Sequence, residues 1–221
     1  MPKVGVVLSG CGLFDGSEIH EAVCVLLALS QAGVAYQCLA PNAPQMHVVD
    51  HVKKQPAPHD TRNTLTESAR IARGDILPLS DVKTADYDAF IFPGGFGAAK
   101  NLCTWAVEGA NCSVQPDVAR VIKEAHAAKK VLAFICIAPV IAAKVLGKQT
   151  GLQLTIGDDK ETADSINAMG AKHMVCMVTE AVVDQSNRVV STPAYMKACT
   201  VAEVFAGVQR AVEEVLKLLK S

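Results

Sequence analysis

Short apolar runs rich in β-branched residues alternate with segments of helical period along nearly the whole chain, and this alternation restricts the fold more than any other feature. "KVGVVLSG", "VAYQCLAP", "DYDAFIFPGG" and "VLAFI" read as buried strands. Helical stretches lie between and after them: "SEIHEAVCVLLALSQAG", closed by Gly33 as a helix end is, then "TLTESARIARG", "DVARVIKEAHAAKK" and "IAPVIAAKVL". A parallel neighbour is reached only by a crossover long enough to hold a helix, so the pattern predicts an α/β fold with a mostly parallel sheet covered on both faces. In the final third, "LQLTIG" reads as a strand and "TADSINAMG" as a helix. "AVVDQSNRVVSTP" has two strand-like arms around a Ser-Asn turn, as a hairpin does. The last helix carries apolar residues at 201, 204, 205, 208, 212, 215 and 219. Residues 41–61 have no clean period. With no internal repeat, linker or shift in composition, one domain over residues 1–221 is expected.

Half of the 221 residues are hydrophobic, enough for a sizeable core, and the formal net charge is −1 with no block of like charges. That excludes the electrostatic footprint of a nucleic-acid binder and a polybasic membrane patch. No apolar run approaches the roughly 20 residues that span a bilayer. The opening "MPKVGVVLSGCG" reads as neither a signal peptide nor an Arg-rich transit peptide. The eight cysteines include no C-x-x-C spacing, so they read as reduced thiols packed as small hydrophobes. The compartment expected is the cytoplasm, or the mitochondrion if a presequence has been removed. No metal is expected. His47 and His51 in "HVVDH" are four apart beside Asp50, but they lie in an irregular segment without a third ligand. His126 reads as the outward face of an amphipathic helix, and His59 and His173 as surface residues.

Sites in open parallel sheets form at the carboxyl ends of strands. Four such ends carry unusual sequence here: "SGCGLFDGSEIHE", "PGGFGAAKN", "CIAP" and "TPAYM". "GGFGAAKN" lacks phosphate-loop spacing and has Lys100 where a dinucleotide motif needs its third glycine, so no nucleotide cofactor is expected. Gly94 and Gly95 better suit a close backbone approach, with N–H groups aimed at a developing oxyanion. Cys136 stands between a buried strand and a helix N-terminus, the elbow at which many α/β enzymes present a nucleophile. The helix end favours the thiolate, Pro139 fits the first turn, and the N–H of Ile137 supplies a second oxyanion donor. The plainer alternative is a packed thiol like the other seven. A nucleophile needs a proton partner, and Glu18 and Glu21, three apart at the start of the first helix, are candidates. Their alternative role is capping and stabilising the helix dipole, with Ser17 as the N-cap. His20, between them, points elsewhere.

"LSGCGLFDGSEIHEA", "TRNTLTESARIARG", "FPGGFGAAKNL", "CIAPV" and "STPAYM", in that order, resemble the ElbB family, a PfpI-type branch of the class I glutamine-amidotransferase-like proteins. The resemblance covers essentially the whole chain. It implies a flavodoxin-like three-layer α/β/α sandwich, commonly a homodimer. By that resemblance Cys136 matches the elbow cysteine and Glu21 the glutamate that contacts its thiol, while Gly95 and Ile137 match the oxyanion donors. Arg62, Asn63, Lys100, Asn101 and Tyr195 fall in hallmark segments and, with Gly94 and Glu18, are candidates for the pocket lining.

The implied activity is a glutathione- and cofactor-independent glyoxalase that converts glyoxal, a small-molecule aldehyde, to glycolate. Protein deglycation and a link to isoprenoid biosynthesis are also implied. Rival readings are a non-catalytic redox sensor or partner protein, and a glutamine amidotransferase. The last lacks a base: the peptidases of the superfamily have a histidine directly after the cysteine, where this chain has Ile137, and "LTIGDDKETA" downstream has none.

Overall fold

The computed structural model describes residues 2–221. Strand β1 (Lys3–Val7) leads through α1 (Ile19–Gln31) to β2 (Ala35–Ala40). A small ribbon of β3 (Val49–Asp50) and β4 (Gln55–Pro56) precedes α2 (Thr64–Ile71) and β5 (Ile76–Pro78). After β6 (Ala89–Phe92) come α3 (Phe96–Lys100), α4 (Trp105–Glu108) and α5 (Pro116–Ala127). Then β7 (Val131–Ile135) runs into α6 (Pro139–Thr150). A second ribbon, β8 (Gln153–Leu154) and β9 (Lys172–His173), flanks α7 (Lys160–Ala168). The hairpin β10 (Val182–Asp184) and β11 (Val189–Thr192) leads to the final helix α8 (Val201–Leu218).

Seven strands form the central sheet in the order β10-β11-β7-β6-β1-β2-β5. Every pair is parallel except β10–β11. Helices α1 and α8 pack on each other over one face, and α5 and α6 over the other, giving the expected three layers. All residues of β6 and β7 are buried, as strands covered on both sides must be. Phe92 and Phe134, paired in the β6–β7 register, stack with ring centroids 4.8 Å apart. Each buried phenylalanine contributes roughly 1.5–3 kcal/mol by area, and the stacked pair about 0.5–1.5 kcal/mol more.

The sequence pattern placed the inner strands, the long helices and the hairpin where they are found. It missed β5, whose three residues at the sheet edge carry too few positions for a period. "LQLTIG" forms only the two-residue β8, which pairs with β9 outside the main sheet. On α8 the stripe is shifted: Val201 is exposed, while Gly207 and Ala211 join the buried face.

Gly207 shows how tightly α8 sits. A Cβ there would lie 2.0 Å from the carbonyl oxygen of Val178, a backbone atom that no rotamer change removes. Helix propensity alone favours alanine by about 1 kcal/mol, but overpacking costs about 1–3 kcal/mol and more when backbone must shift. Gly207→Ala is therefore expected to destabilise the protein by roughly 2 kcal/mol, lowering Tm by about 4–8 °C. A rise in Tm in a calorimetric scan would show that α8 yields at this contact.

Candidate active site

The four unusual strand ends belong to β1, β6, β7 and β11, which are neighbours in the sheet, so their loops meet along one edge. Cys136 leaves β7 at φ +61°, a left-handed conformation uncommon for a residue with a side chain. Its N–H donates to the Thr192 carbonyl (2.9 Å), which ties the turn to the end of β11. The thiol is 7% exposed, buried yet at the surface of a cavity.

Glu21 is fully buried on the first turn of α1. One carboxyl oxygen accepts from the Gly94 N–H (2.9 Å) and the other from the Tyr195 N–H (3.3 Å). The carboxyl also hydrogen-bonds the Cys136 thiol. Loops from β6, β7 and β11 thus converge on one side chain. Gly94 is required here because a Cβ would lie 2.5 Å from that of Cys136 and 2.7 Å from the Glu21 carboxyl. Gly95, at φ +90°, would carry a Cβ 2.3 Å from the Glu18 amide nitrogen.

Burial pushes the Glu21 carboxyl up to about 8, with the charge of Glu18 adding to the effect. It is therefore predominantly protonated at neutral pH. Burial also raises the Cys136 thiol well above its ordinary value, as do the charge of Glu21 and its hydrogen bond. The backbone N–H groups of Gly95 and Ile137 pull the other way. The helix end does not win outright: the resting thiol is protonated, contrary to the expectation of a ready thiolate.

The cavity measures about 320 Å³ and is lined by Leu13, Gly95, Phe96, Cys136, Ile137, Tyr195 and Met196, together with Trp105, Asp159 and Thr162 from the helical segments. Of the residues anticipated from sequence, the structure gathers Cys136, Glu21, Gly94, Gly95, Ile137 and Tyr195. Glu18 serves α1 instead: it, and not Ser17, is the N-cap, accepting from the Glu21 N–H at 2.8 Å. Ser17 is drawn inward to accept from the Ser9 N–H.

Lys100 and Asn101 also turn out to be loop fasteners. Lys100 donates to the Phe14 carbonyl (3.0 Å), and Asn101 donates to the Ser9 and Asp15 carbonyls (both 2.8 Å). Arg62 and Asn63 do not line the cavity. Asn63 caps α2, and Arg62 faces Glu67.

Among the histidines, His20 comes nearer the site than the sequence reading had it, whereas the "HVVDH" pair lies in the irregular segment expected. His20 is exposed, but its ring reaches the Tyr195 hydroxyl (2.8 Å) at the rim. His47 and His51 are not on a helix: β3 lies between them, and His51 accepts from the Phe14 N–H (3.2 Å).

Trp105, Asp159, Thr162 and Met196 escaped sequence reasoning. Asp159 and Thr162 carried one local signal, the spacing of a helix cap, which α7 uses. Trp105, the only tryptophan, sits in a four-residue helix with no period to betray it.

No protein-family profile matches the chain. Among solved structures, an isoprenoid biosynthesis protein with an amidotransferase-like domain from Ehrlichia chaffeensis superimposes with a TM-score of 0.93 at 35% identity, over 99% of this chain and 100% of the other. Glyoxalase III from Candida albicans, at 15% identity, shares the fold alone (TM-score 0.60, 99% and 96% covered). Among the described residues no helix is long and apolar enough to cross a membrane. The human glutamine amidotransferase-like class 1 domain-containing protein 3, a mitochondrial protein, is 51% identical over 98% of this chain and 83% of its own length. With half its residues shared along nearly its whole length, the chain belongs to the glutamine amidotransferase-like class 1 family.

Proposed function

We propose that the protein is a cofactor-independent glyoxalase of the ElbB type, converting glyoxal and similar small 2-oxoaldehydes to the hydroxy acid. The observation that carries this reading is the contact between the Cys136 thiol and a carboxyl that burial keeps protonated near neutral pH. The glyoxalase name of the Candida fold neighbour is consistent with it. The mitochondrial relative suggests the same compartment for this chain.

In the reactive pair the Cys136 thiol has already lost its proton; Sγ adds to one aldehyde carbon, and Glu21 gives its own proton to the carbonyl oxygen. While negative charge develops on that oxygen, the Gly95 and Ile137 N–H groups stabilise it. Glu21, now a carboxylate, takes the proton from the thiohemiacetal carbon and returns it to the neighbouring carbon. The first carbon is oxidised to a thioester as the second is reduced to an alcohol. Water then cleaves the C–S bond, releasing glycolate and restoring the thiol. The oxidation and reduction are internal to the substrate, so the sequence balances without an outside electron carrier. Amide cleavage suits the site less, because a leaving amine needs a proton donor and Ile137 occupies the position of the histidine that supplies one.

Cys136→Ala is expected to abolish glycolate formation, a loss of at least about 10³-fold, and Glu21→Gln to cost about 10²–10⁴-fold. Turnover from glyoxal, compared with free cysteine, checks both. Full activity in Cys136→Ala would remove the mechanism, and ammonia release from glutamine would favour amidotransfer.

The reactive state of the pair has lost one of its two protons, and the first leaves at about 8. We expect kcat/KM to rise between about pH 6 and about pH 9 with its midpoint near 8, whereas a flat profile would exclude Glu21 as the titrating partner.

The same carboxyl links stability to pH. Its folded value of about 8 exceeds its ordinary 4.5, so between these limits the native state binds more protons than the unfolded one. Stability from this group is complete below about 4.5 and is lost as pH rises through about 8. Urea unfolding from pH 5 to 8 should therefore show the wild type losing up to about 1.4 kcal/mol per pH unit relative to Glu21→Gln. Parallel curves would mean that Glu21 is not buried as the neutral acid.

A further inference from the structure

Cys103 and Cys112 lie at the two ends of a short hairpin that carries α4. Its arms are laced together: Cys103 bridges Val114, the Thr104 N–H donates to the Ser113 carbonyl (2.9 Å), and the Gln115 N–H donates to the Leu102 carbonyl (2.9 Å). Cys112 and Val114 alternate along one arm, so Cys112 falls on the same side of the ladder as Cys103. Both side chains are buried, the Cys103 thiol donates to the Ala98 carbonyl (3.4 Å), and each thiol shifts the titration of the other.

Two further features set this pair apart from the other free cysteines. Lys144, on the elbow helix α6, reaches into the hairpin and donates to the Ala110 carbonyl (3.0 Å). The Cys103 thiol, with the Lys144 charge assisting against burial, draws the Cys112 thiol down to about 7. Moreover, the segment between the cysteines holds Trp105, which lines the Cys136 cavity and donates its indole N–H to Ser165 on α7 (2.8 Å).

We propose that Cys103 and Cys112 are a reversible thiol–disulfide pair, oxidised by a hydroperoxide, whose closure moves Trp105 and so reshapes the wall of the Cys136 cavity. Cys112 attacks the peroxide, giving its sulfenic acid and releasing the alcohol or, from hydrogen peroxide, water. Cys103 then attacks that sulfur and water leaves as the S–S bond forms. The two thiols give up two electrons, the O–O bond takes them, and both thiol protons end in the released alcohol and water. Closure takes the Cys103 thiol from the Ala98 carbonyl into an S–S bond of about 2.05 Å, and the short span leaves Trp105 nowhere to absorb the change. None of the α4 residues is buried, so the hairpin opens at little cost to admit a small oxidant. None of this depends on turnover at Cys136.

Both cysteines fall within one tryptic peptide, residues 101–120, and Trp105 is the sole emitter of indole fluorescence. Wild type and Cys136→Ala, treated with dilute hydrogen peroxide and then alkylated in denaturant, should each yield that peptide two hydrogens lighter and unalkylated. Dithiothreitol should restore two reactive thiols. Tryptophan emission should shift with the crosslink and return on reduction, and Cys103→Ala and Cys112→Ala should show neither signal. Two alkylated cysteines in the wild-type peptide, with Cys136 or any other thiol consumed instead, would overturn the pair. A crosslink without any change in Trp105 emission would overturn its link to the cavity. The wild-type measurements decide both points even if a variant fails to fold.

Discussion

A carboxyl group without solvent is the constraint on which the site rests. Glu21 is buried completely, and an isolated charge there would cost far more than any hydrogen bond returns. It is tolerated because it is held neutral and because loop N–H groups, from Gly94 and Tyr195, are satisfied by its oxygens. The loops in turn depend on it. Gly94 must lack a side chain, Tyr195 follows Ala194 at φ +43°, and Cys136 takes its left-handed turn, all within reach of the same carboxyl. Lys100 and Asn101 fasten the β1 loop beneath Gly95 from the other side. Site geometry and loop stability are thus one problem, solved by one buried acid.

In the proposed reaction that acid also lets a thiol work without an adjacent histidine. A permanently ionised cysteine is reactive towards every oxidant, whereas burial and Glu21 keep Cys136 protonated at rest. A small dicarbonyl, the substrate proposed, is a strong electrophile and brings in a neutral carbonyl. It needs the thiol only momentarily ionised, with the proton one hydrogen bond away. The amides of Gly95 and Ile137 favour negative charge on the sulfur before substrate arrives. Once the sulfur has bonded to carbon, they are free to stabilise the new oxyanion. An unactivated amide would need more: a stronger nucleophile and an acid for its leaving group, and neither is built here.

The parts readable from sequence are those in which one residue type has one physical reason to be present. Buried strands demand continuous apolar runs, a crossover helix demands its period, and a glycine pair after a strand signals backbone approach. Those rules place β1, β6, β7 and β11, and with them Cys136, Glu21, Gly94 and Gly95. Polar residues in the same motifs stay ambiguous in sequence because the same atoms serve binding and capping equally well. Asn63 caps a helix, Glu18 displaces Ser17 from the end of α1, and Lys100 and Asn101 tie loops together. Which use a side chain finds depends on contacts between segments far apart in sequence: Asn101 to Ser9 spans 92 residues.

The helical wall of the cavity is of another kind, and that difference has mechanical content. Trp105, Asp159 and Thr162 stand on α4 and at the start of α7, outside the sheet, on segments too short for a period to announce them. The strand-end half is held by buried hydrogen bonds that cannot shift without exposing Glu21. The helical half is joined to the rest by polar contacts at its edge, such as Trp105 to Ser165, and α4 buries none of its own residues. Local opening costs least where little apolar surface is covered, so strain entering this region is taken up by the α4 wall before the nucleophile moves. A cavity with one rigid and one yielding side keeps its chemistry constant while its shape responds. The placement of two buried thiols at the root of the yielding side is what would open that response to control by oxidation, as proposed.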